Sequence, residues 1–395
     1  MPILKTASAL IKEALEKVSI NNVLPPKGSK IAIAMSGGVD SSVAAALLSQ
    51  MDYEVFGITG WLMEGKGKCC DGGMLDAGRI CEIIGISHEV QDLKKLFQST
   101  IISPFIESYS IGRTPVPCMP CNTEVKWGSL LEYSKSIGAS HLASGHYARL
   151  LGFENTDNSY QYSIGKSKDL HKDQSYMLWG LSQEQLSRTL FPLANFDKDE
   201  IRELAKEFNL VNWDKEESQD ICFVPNKTKD FLKEHLGEKP GEIKNIRTGK
   251  VLGKHSGTHF YTIGQRKGIG ISSQDAIYVV KIDSFNNVVY VGEKSDLQNN
   301  YLIADGVNWQ IVLSEPFRAL VKIRYNSEPS ICTVTPIEAN QIQIDFDEPV
   351  LGVTPGQAAV IYDLNNQYII AGGWISRELN ESISKTIHAT SESNS

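Results

Sequence analysis

Three groups of residues in this chain are of types that do chemistry. The first is the segment AIAMSGGVDSSVAAALL, residues 32–48. Its apolar run ends at Met35, Gly37 and Gly38 permit a tight turn, and a helix is predicted from about Val39. Backbone N–H groups from Ser36 to Ser42 then converge with the positive end of the helix dipole on one point, which suits phosphate oxygens. The segment is not a Walker A loop, because no Lys-Ser/Thr follows a second glycine at the required distance. Nor is it a dinucleotide fingerprint, which needs a third glycine three residues on. A merely tight turn accounts for the two glycines but not for Ser36, Asp40, Ser41 and Ser42 together.

The second group is PCMPCN, residues 117–122, which sets Cys118 and Cys121 three positions apart. That spacing is compatible with a metal, a redox disulfide or nucleophilic sulfur. The third is Cys222, flanked by Ile221 and Phe223, where local sequence favours a buried small hydrophobe. A further cluster, KGKCC (66–70) with Cys81, lacks a second CxxC or a histidine pair, so it reads as structural thiols and no metal site is assigned. The seven cysteines are odd in number and unevenly spread, unlike the framework of a secreted, disulfide-stapled domain.

Positioning these groups takes 395 residues, enough for two or three domains. KIAIAM, YEVFGITGW, SHEVQDL and SHLASGHYARL read as strands alternating with helices, one of them from about Leu75 to Ile84. That order implies an α/β domain with an open, mostly parallel sheet. Asp197 and Glu200 have the spacing of a capping box. From about Pro240 onward, short alternating strands separated by Gly, Asn and Asp predict a small β domain, in form a barrel. The polar stretch 381–395 is expected to be disordered.

Near the start, Leu10, Ile11 and Leu15 recur at helical spacing among lysines and glutamates, giving an amphipathic helix and not a signal peptide. No membrane span is expected, and the location is expected to be cytoplasmic. The formal net charge of −8 argues against indiscriminate coating of nucleic acid. Yet residues 243–274 contain no Asp or Glu, while Lys244, Arg247, Lys250, Lys254, Arg266 and Lys267 all occur there, so a polyanion partner suits that stretch.

SGGVDSS resembles the PP-loop of the ATP pyrophosphatases, which adenylate a substrate oxygen and release pyrophosphate. CNTEVKWGSLLEY (121–133), ASGHYAR (143–149), KDQSYMLWGLS (172–182), SQDICFVP (218–225), GKHSGTHFYTIGQRKGIGI (253–271), IRYNS (323–327) and PGQAAVIYD (355–363) resemble, in order and spacing, the MnmA family of tRNA 2-thiouridylases. The resemblance implies a PP-loop catalytic domain over residues 1–212, a central tRNA-binding domain over 213–281 and a C-terminal β-barrel over 282–380. It implies that the C2 oxygen of the wobble uridine U34 is adenylated with ATP and replaced by sulfur. Another AMP-forming PP-loop ligase or RNA-modifying enzyme is the alternative.

By the same resemblance Cys222 carries a persulfide, and Cys121 is the nucleophile that forms a transient disulfide with it. Asn122 or Thr123 is predicted to start a helix, which places Cys121 near its N-terminus. Ala34, Met35, Ser36, Gly37, Gly38, Val39, Asp40 and Ser41, with Gly60 and Gly145, are implied for ATP. His146, Lys172, Asp173, Gln174, Arg324, Tyr325 and Gln357 are implied for tRNA. Mg²⁺ is the expected companion of ATP; an iron–sulfur cluster on Cys118, Cys121 and Cys222 is the less favoured variant. Implied partners are tRNAs of the Lys, Glu and Gln type and a sulfur donor, either a cysteine desulfurase or a sulfur relay protein. One departure matters: many members have Asn-Pro-Asp where this chain has Val116, Pro117 and Cys118, so a thiol stands in place of a carboxylate. On the sequence alone, Arg318, Lys322 and Arg324 are expected to form one basic face of a strand.

Overall fold

A computed structural model describes residues 8–20, 23–64, 71–154, 160–215, 221–225, 227–272, 275–338 and 340–376. The stretch 381–395, Cys69 and Cys70 lie outside these residues. The chain forms two compact units, the first from Met1–Ser103, Pro117–Pro225 and Asn366–Ile370, the second from Pro104–Val116, Asn226–Asn365 and Ala371–Ser395.

In the first unit, β1 (Lys30–Ala34), β2 (Glu54–Trp61), β3 (Ser87–Asp92) and β4 (His141–Ser144) are followed by a hairpin of β5 (Arg149–Glu154) and β6 (Tyr160–Gly165), then by β7 (Thr189–Leu190). Five of them form a parallel sheet in the order β3-β2-β1-β4-β7. Strand β1 is buried on both faces, which is why KIAIA is a continuous apolar run and not an alternation. Helices α1 (Ala9–Ser19), α2 (Val39–Ser49) and α3 (Asp71–Ile84) belong to this unit, α3 beginning before the expected Leu75. Helix α2 is buried on nearly every side, so alanines at 44–46 let it sit close to its neighbours. On α1 the inward residues are Ile11, Ala14 and Val18, whereas Leu10 is exposed.

The register pairs Ala34 with Ile58 on one side and Ser144 on the other. The carboxyl ends of β1, β2 and β4 therefore lie at one edge, where the strand order reverses and open α/β sheets bind ligands. The hairpin is backed by the returning segment 366–370: Ser163 Oγ donates to the Ile369 carbonyl (2.6 Å), the Lys166 amide donates to the Gln367 carbonyl (2.8 Å), and Gly165 bridges Tyr368.

In the second unit, β8 (Gly241–Asn245), β9 (Val251–His255), β10 (Tyr278–Asp283) and β11 (Val288–Gly292) make a sheet in the order β10-β11-β8-β9. Its core holds Ile243, Val279, Ile282, Val289 and Val291. The expected division between residues 281 and 282 falls inside β10, whose register ties it to β11. Strands β12 (Gln298–Trp309), β13 (Phe317–Lys322), β14 (Ser330–Glu338), β15 (Gln341–Leu351), β16 (Ala358–Tyr362) and β17 (Ile369–Ile375) close a barrel in the order β12-β15-β14-β13-β16-β17. No helix among the described residues is long and apolar enough to cross a membrane.

Candidate functional site

The loop after β1 is built as its sequence demands. Gly37 has φ +68°, and a Cβ there would lie 2.6 Å from the Gly73 carbonyl oxygen, so both conformation and space require glycine. Ser36 and Ser41 hydroxyls meet at 3.2 Å, and Ser42 Oγ donates to the Gly38 carbonyl at 2.7 Å. These bonds fold the serines onto the first turn of α2, whose cap is Gly38. From behind, Asn212 Nδ2 donates to Ser42 Oγ (3.0 Å) and the Gly37 carbonyl (3.2 Å), while Lys215 Nζ donates to the same carbonyl (3.0 Å) and pairs with Asp76 (2.7 Å).

Asp40 is the carboxylate of the loop. Its Oδ1 accepts from Tyr147 Oη at 2.8 Å and from Lys198 Nζ at 2.7 Å. Tyr147 is itself held by Gln174, whose amide oxygen accepts from the Tyr147 N–H (3.0 Å) and whose backbone N–H donates to the Tyr147 carbonyl (2.8 Å). Gly145 lies against the loop so closely that a Cβ would stand 2.6 Å from Ser41 N and 2.8 Å from the Asp40 carbonyl carbon. Ala34, Met35, Val39 and Gly145 thus gather with the serines and Asp40 at one sheet edge. Gly60 stands at the end of β2, where a Cβ would meet the ends of the Leu93 and Leu62 side chains at 3.1 and 3.3 Å. Tyr147, Lys198, Asn212 and Lys215 escape a reading of local motifs because their partners lie more than 100 residues away.

The helix that carries Cys121 starts earlier than expected. The helical run begins at Cys118, not at Asn122 or Thr123, and widens into a π-helix over Cys121–Leu130 before returning to α over Leu131–Ser136. The Cys121 N–H donates to the Pro117 carbonyl (3.1 Å), so Cys121 lies in the first turn, and Cys118 is the first helical residue. Thr123 is inside the run, its hydroxyl bonding back to the Pro120 carbonyl (3.3 Å). The widened turns free carbonyls that Gln185 captures, its amide nitrogen donating to Thr123 O (3.0 Å) and Trp127 O (3.1 Å). Such π segments recur at functional sites. Cys118 is exposed and Cys121 half-buried.

Cys222 is exposed, contrary to the buried small hydrophobe that its flanks suggest. Phe223 and Val224 take the core positions instead, Phe223 packing edge-on against Phe97 at 5.9 Å. Cys121, Cys222 and the loop all belong to the first unit. By contrast Cys81 is buried and its thiol is pushed up to about 12 by burial, which makes it unreactive. Among the described residues no group of three or more His, Cys, Asp or Glu side chains is placed to share a metal ion.

Several residues implied for tRNA hold the protein to itself. His146 Nε2 accepts a hydrogen bond from Lys126 Nζ (3.3 Å), which assigns the ring N–H to Nδ1, donating to Ser144 Oγ (2.8 Å). Burial, and next the Lys126 charge, hold its pKa well below the ordinary value, so the ring is neutral at pH 7. Asp173 accepts from the Ser167 N–H (3.1 Å) and from Ser175 Oγ (2.7 Å), and burial raises its pKa. The neighbouring Lys172 N–H donates to the Asp169 carboxylate (3.2 Å).

In the second unit, strand β13 ends at Lys322 and the chain turns, so the basic face does not continue to Arg324. Arg318 is paired with Asp347, and Arg324 donates to Thr354 Oγ1 (2.8 Å), Ile263 O (3.2 Å) and Gly352 O. Lys322 stands 5.8 Å from the Tyr325 ring, and Gln357 Nε2 donates to the Thr114 carbonyl (2.7 Å). Acids from outside the basic stretch also answer two of its cations, Glu242 pairing with Lys244, and Glu293 and Asp296 with Arg247. Lys250, Lys254, Arg266 and Lys267 are exposed.

Comparison with known proteins matches the whole arrangement. Residues 29–226 match the family described as tRNA methyl transferase HUP domain, 229–293 the tRNA methyl transferase PRC-barrel domain, and 299–375 the aminomethyltransferase beta-barrel domain. The tRNA-specific 2-thiouridylase MnmA of Nostoc punctiforme is 44% identical over 351 residues, 88% of this chain and 98% of that one. That of Synechocystis is 44% identical over 357 residues, 89% of this chain and 98% of that one. Among solved structures, the U34-tRNA thiolase NcsA of Methanococcus maripaludis is 19% identical with a TM-score of 0.37, covering 57% of this chain and 74% of that one. Agreement at this identity through all three matched regions, over nearly the full length of each curated relative, places the chain in the MnmA family of tRNA-specific 2-thiouridylases.

Proposed function

We propose that the protein is a cytoplasmic tRNA-uridine 2-sulfurtransferase. ATP adenylates the C2 oxygen of U34, releasing pyrophosphate and turning a poor leaving group into AMP. The terminal sulfur of a Cys222 persulfide then attacks C2 and AMP departs. Cys121 thiolate attacks Cys222 Sγ, the sulfur–sulfur bond to the transferred atom breaks with its electron pair remaining on that atom, and 2-thiouridine is left beside a Cys121–Cys222 disulfide. A thiol reductant resets that disulfide, and a sulfur donor protein reloads Cys222.

The observation that carries this reading is Cys222 itself: an exposed thiol fixed by buried Phe223 and Val224, in the same unit as the loop and Cys121. The first turn of α2, with Ser36, Ser41 and Ser42 folded onto it beside the left-handed turn at Gly37, fits a polyphosphate, and Asp40 is the loop carboxylate that would hold Mg²⁺. Mg²⁺ supplies charge neutralisation for the departing pyrophosphate. Cys118, at the first helical residue, occupies the place of the acid found in relatives and is the candidate for proton transfer at the target base.

His146, Asp173 and Gln174 serve tRNA by fixing the segments that present Lys172 and the strand end; Arg324 does the same for its neighbour Tyr325, and Gln357 for the segment at Thr114. Exposed Lys250, Lys254, Arg266 and Lys267 supply backbone attraction. Incubation with ATP, Mg²⁺, a persulfide donor and unmodified tRNA bearing U34, followed by nucleoside mass spectrometry, should yield 2-thiouridine. Its absence beside an active control enzyme would refute the proposal.

A further inference from the structure

We propose that Lys198 belongs to the nucleotide site, as a counter-charge held on Asp40 that can swing from the carboxylate to a bound polyphosphate. The inference rests on the ATP-dependent reading above and adds to it a residue outside the loop motif.

The placement of Lys198 is costly in two ways. It is the first residue of the helix Lys198–Glu207, where the dipole disfavours a cation, and it is only 9% exposed, which lysines avoid unless paired. The fold nonetheless spends several interactions on holding it there. Its backbone N–H donates to Asp169 Oδ2 (3.2 Å), and Asp197 and Glu200 close a capping box around it. Helix α1, which precedes the family match beginning at residue 29, braces the same helix start. Lys17 Nζ binds Glu200 at 2.7 Å, and Asn195 Nδ2 donates to the carbonyls of Lys17 (2.9 Å) and Ile20 (2.7 Å).

This bracing sets Lys198 Nζ on Asp40 Oδ1 at 2.7 Å and 5.8 Å from the centre of the Tyr147 ring. An unneutralised carboxylate in the middle of an anion cradle would repel phosphate, and the lysine offsets that repulsion. Lys215, the other cation bonded to the loop, is committed from behind to the Gly37 carbonyl and Asp76. Tyr147 also holds Asp40 Oδ1, so the carboxylate keeps a donor after the ammonium leaves it. The four-carbon stem of lysine allows that swing without movement of the helix.

The test is calorimetric binding of ATP, inorganic pyrophosphate and adenosine to the full chain, without tRNA. Lys198→Met should weaken ATP and pyrophosphate about 10- to 100-fold, the range for a lost charge-assisted hydrogen bond, and leave adenosine unchanged. Lys198→Arg, which keeps the charge, should recover most of the loss. Should Lys198→Met fail to fold, Lys198→Gln, which keeps a donor for Asp40, takes its place with the same expected pattern. Unchanged pyrophosphate affinity, or a parallel loss of adenosine, would overturn the assignment and leave Lys198 a structural residue. Wild-type protein that binds no ATP would instead overturn the ATP-dependent reading beneath it.

Discussion

Replacing Gly145 by alanine tests whether the contact between β4 and the loop sets the geometry of the nucleotide site. Gly145 has no left-handed backbone angle, so alanine brings no conformational strain of its own, and its cost is contact alone. The added Cβ would lie 2.6 Å from Ser41 N, 2.8 Å from the Asp40 carbonyl carbon and 3.0 Å from Ser41 Cα, where ordinary contact begins at 3.4 Å. All three are backbone atoms, so no side chain can swing aside, and the strand end and the first turn of α2 must part by about 0.8 Å, the difference of those distances. Overpacking of this kind costs about 1–3 kcal/mol. Misplacement near 1 Å at a reacting site costs about 100-fold in rate. Urea unfolding should show a lowered midpoint at unchanged slope, and ATP binding should weaken. Gly60→Ala is the internal control: its Cβ meets the ends of the Leu93, Leu62 and Leu130 side chains and no backbone, so the effect should be smaller. A Gly145→Ala protein with wild-type midpoint and ATP affinity would refute the argument that backbone approach, and not sequence habit, requires glycine here.

Cys222→Ser and Cys121→Ser should each abolish 2-thiouridine formation in the mass-spectrometric assay while calorimetric ATP affinity stays at the wild-type level; loss of ATP binding in either would move that cysteine from sulfur chemistry to structure. Acid stability should report Glu200: burial pushes its pKa up, but hydrogen bonds from Lys17, the Asp197 N–H and Lys168 outweigh burial and bring it down to about 2 from an ordinary 4.5. A depressed carboxylate contributes stability that is complete above the ordinary value and is lost as pH falls from 4.5 toward 2. Urea midpoints across that window should therefore fall less steeply in Lys17→Met than in the wild type, and identical slopes would refute the coupling.

What the sequence disclosed and what it hid divide along physical lines. The strand, glycine turn and helix of residues 30–49 are legible because each step is dictated by neighbours in the chain, and the Asp197–Glu200 capping box is legible for the same reason. The flanks of Cys222 point to burial and the resemblance to an active thiol; the thiol is exposed because burial is decided by which residue finds a partner, and Phe97 pairs with Phe223. The helix start at Cys118 was hidden by Pro120, which reads as a breaker but is tolerated in a first turn. Arg324 read as surface because arginines usually are; the turn after Lys322 carries it to Ile263, Gly352 and Thr354 carbonyl and hydroxyl oxygens instead. The side chains that brace Asp40 come from residues 147 and 198, and no local window contains that pairing.

The segment 366–370 that backs the β5–β6 hairpin has a consequence for biosynthesis. Because Tyr368 and Ile369 complete contacts to Gly165 and Ser163, the nucleotide-binding unit has its last piece supplied some 200 residues after the hairpin has been made. A chain emerging from the ribosome must hold that hairpin unfinished while the entire barrel is synthesised. Such long-range closure slows folding and prolongs exposure of unpaired edges. Premature termination anywhere before residue 366 would therefore damage not only the barrel but also the parallel-sheet unit, whose hairpin would lack its backing segment.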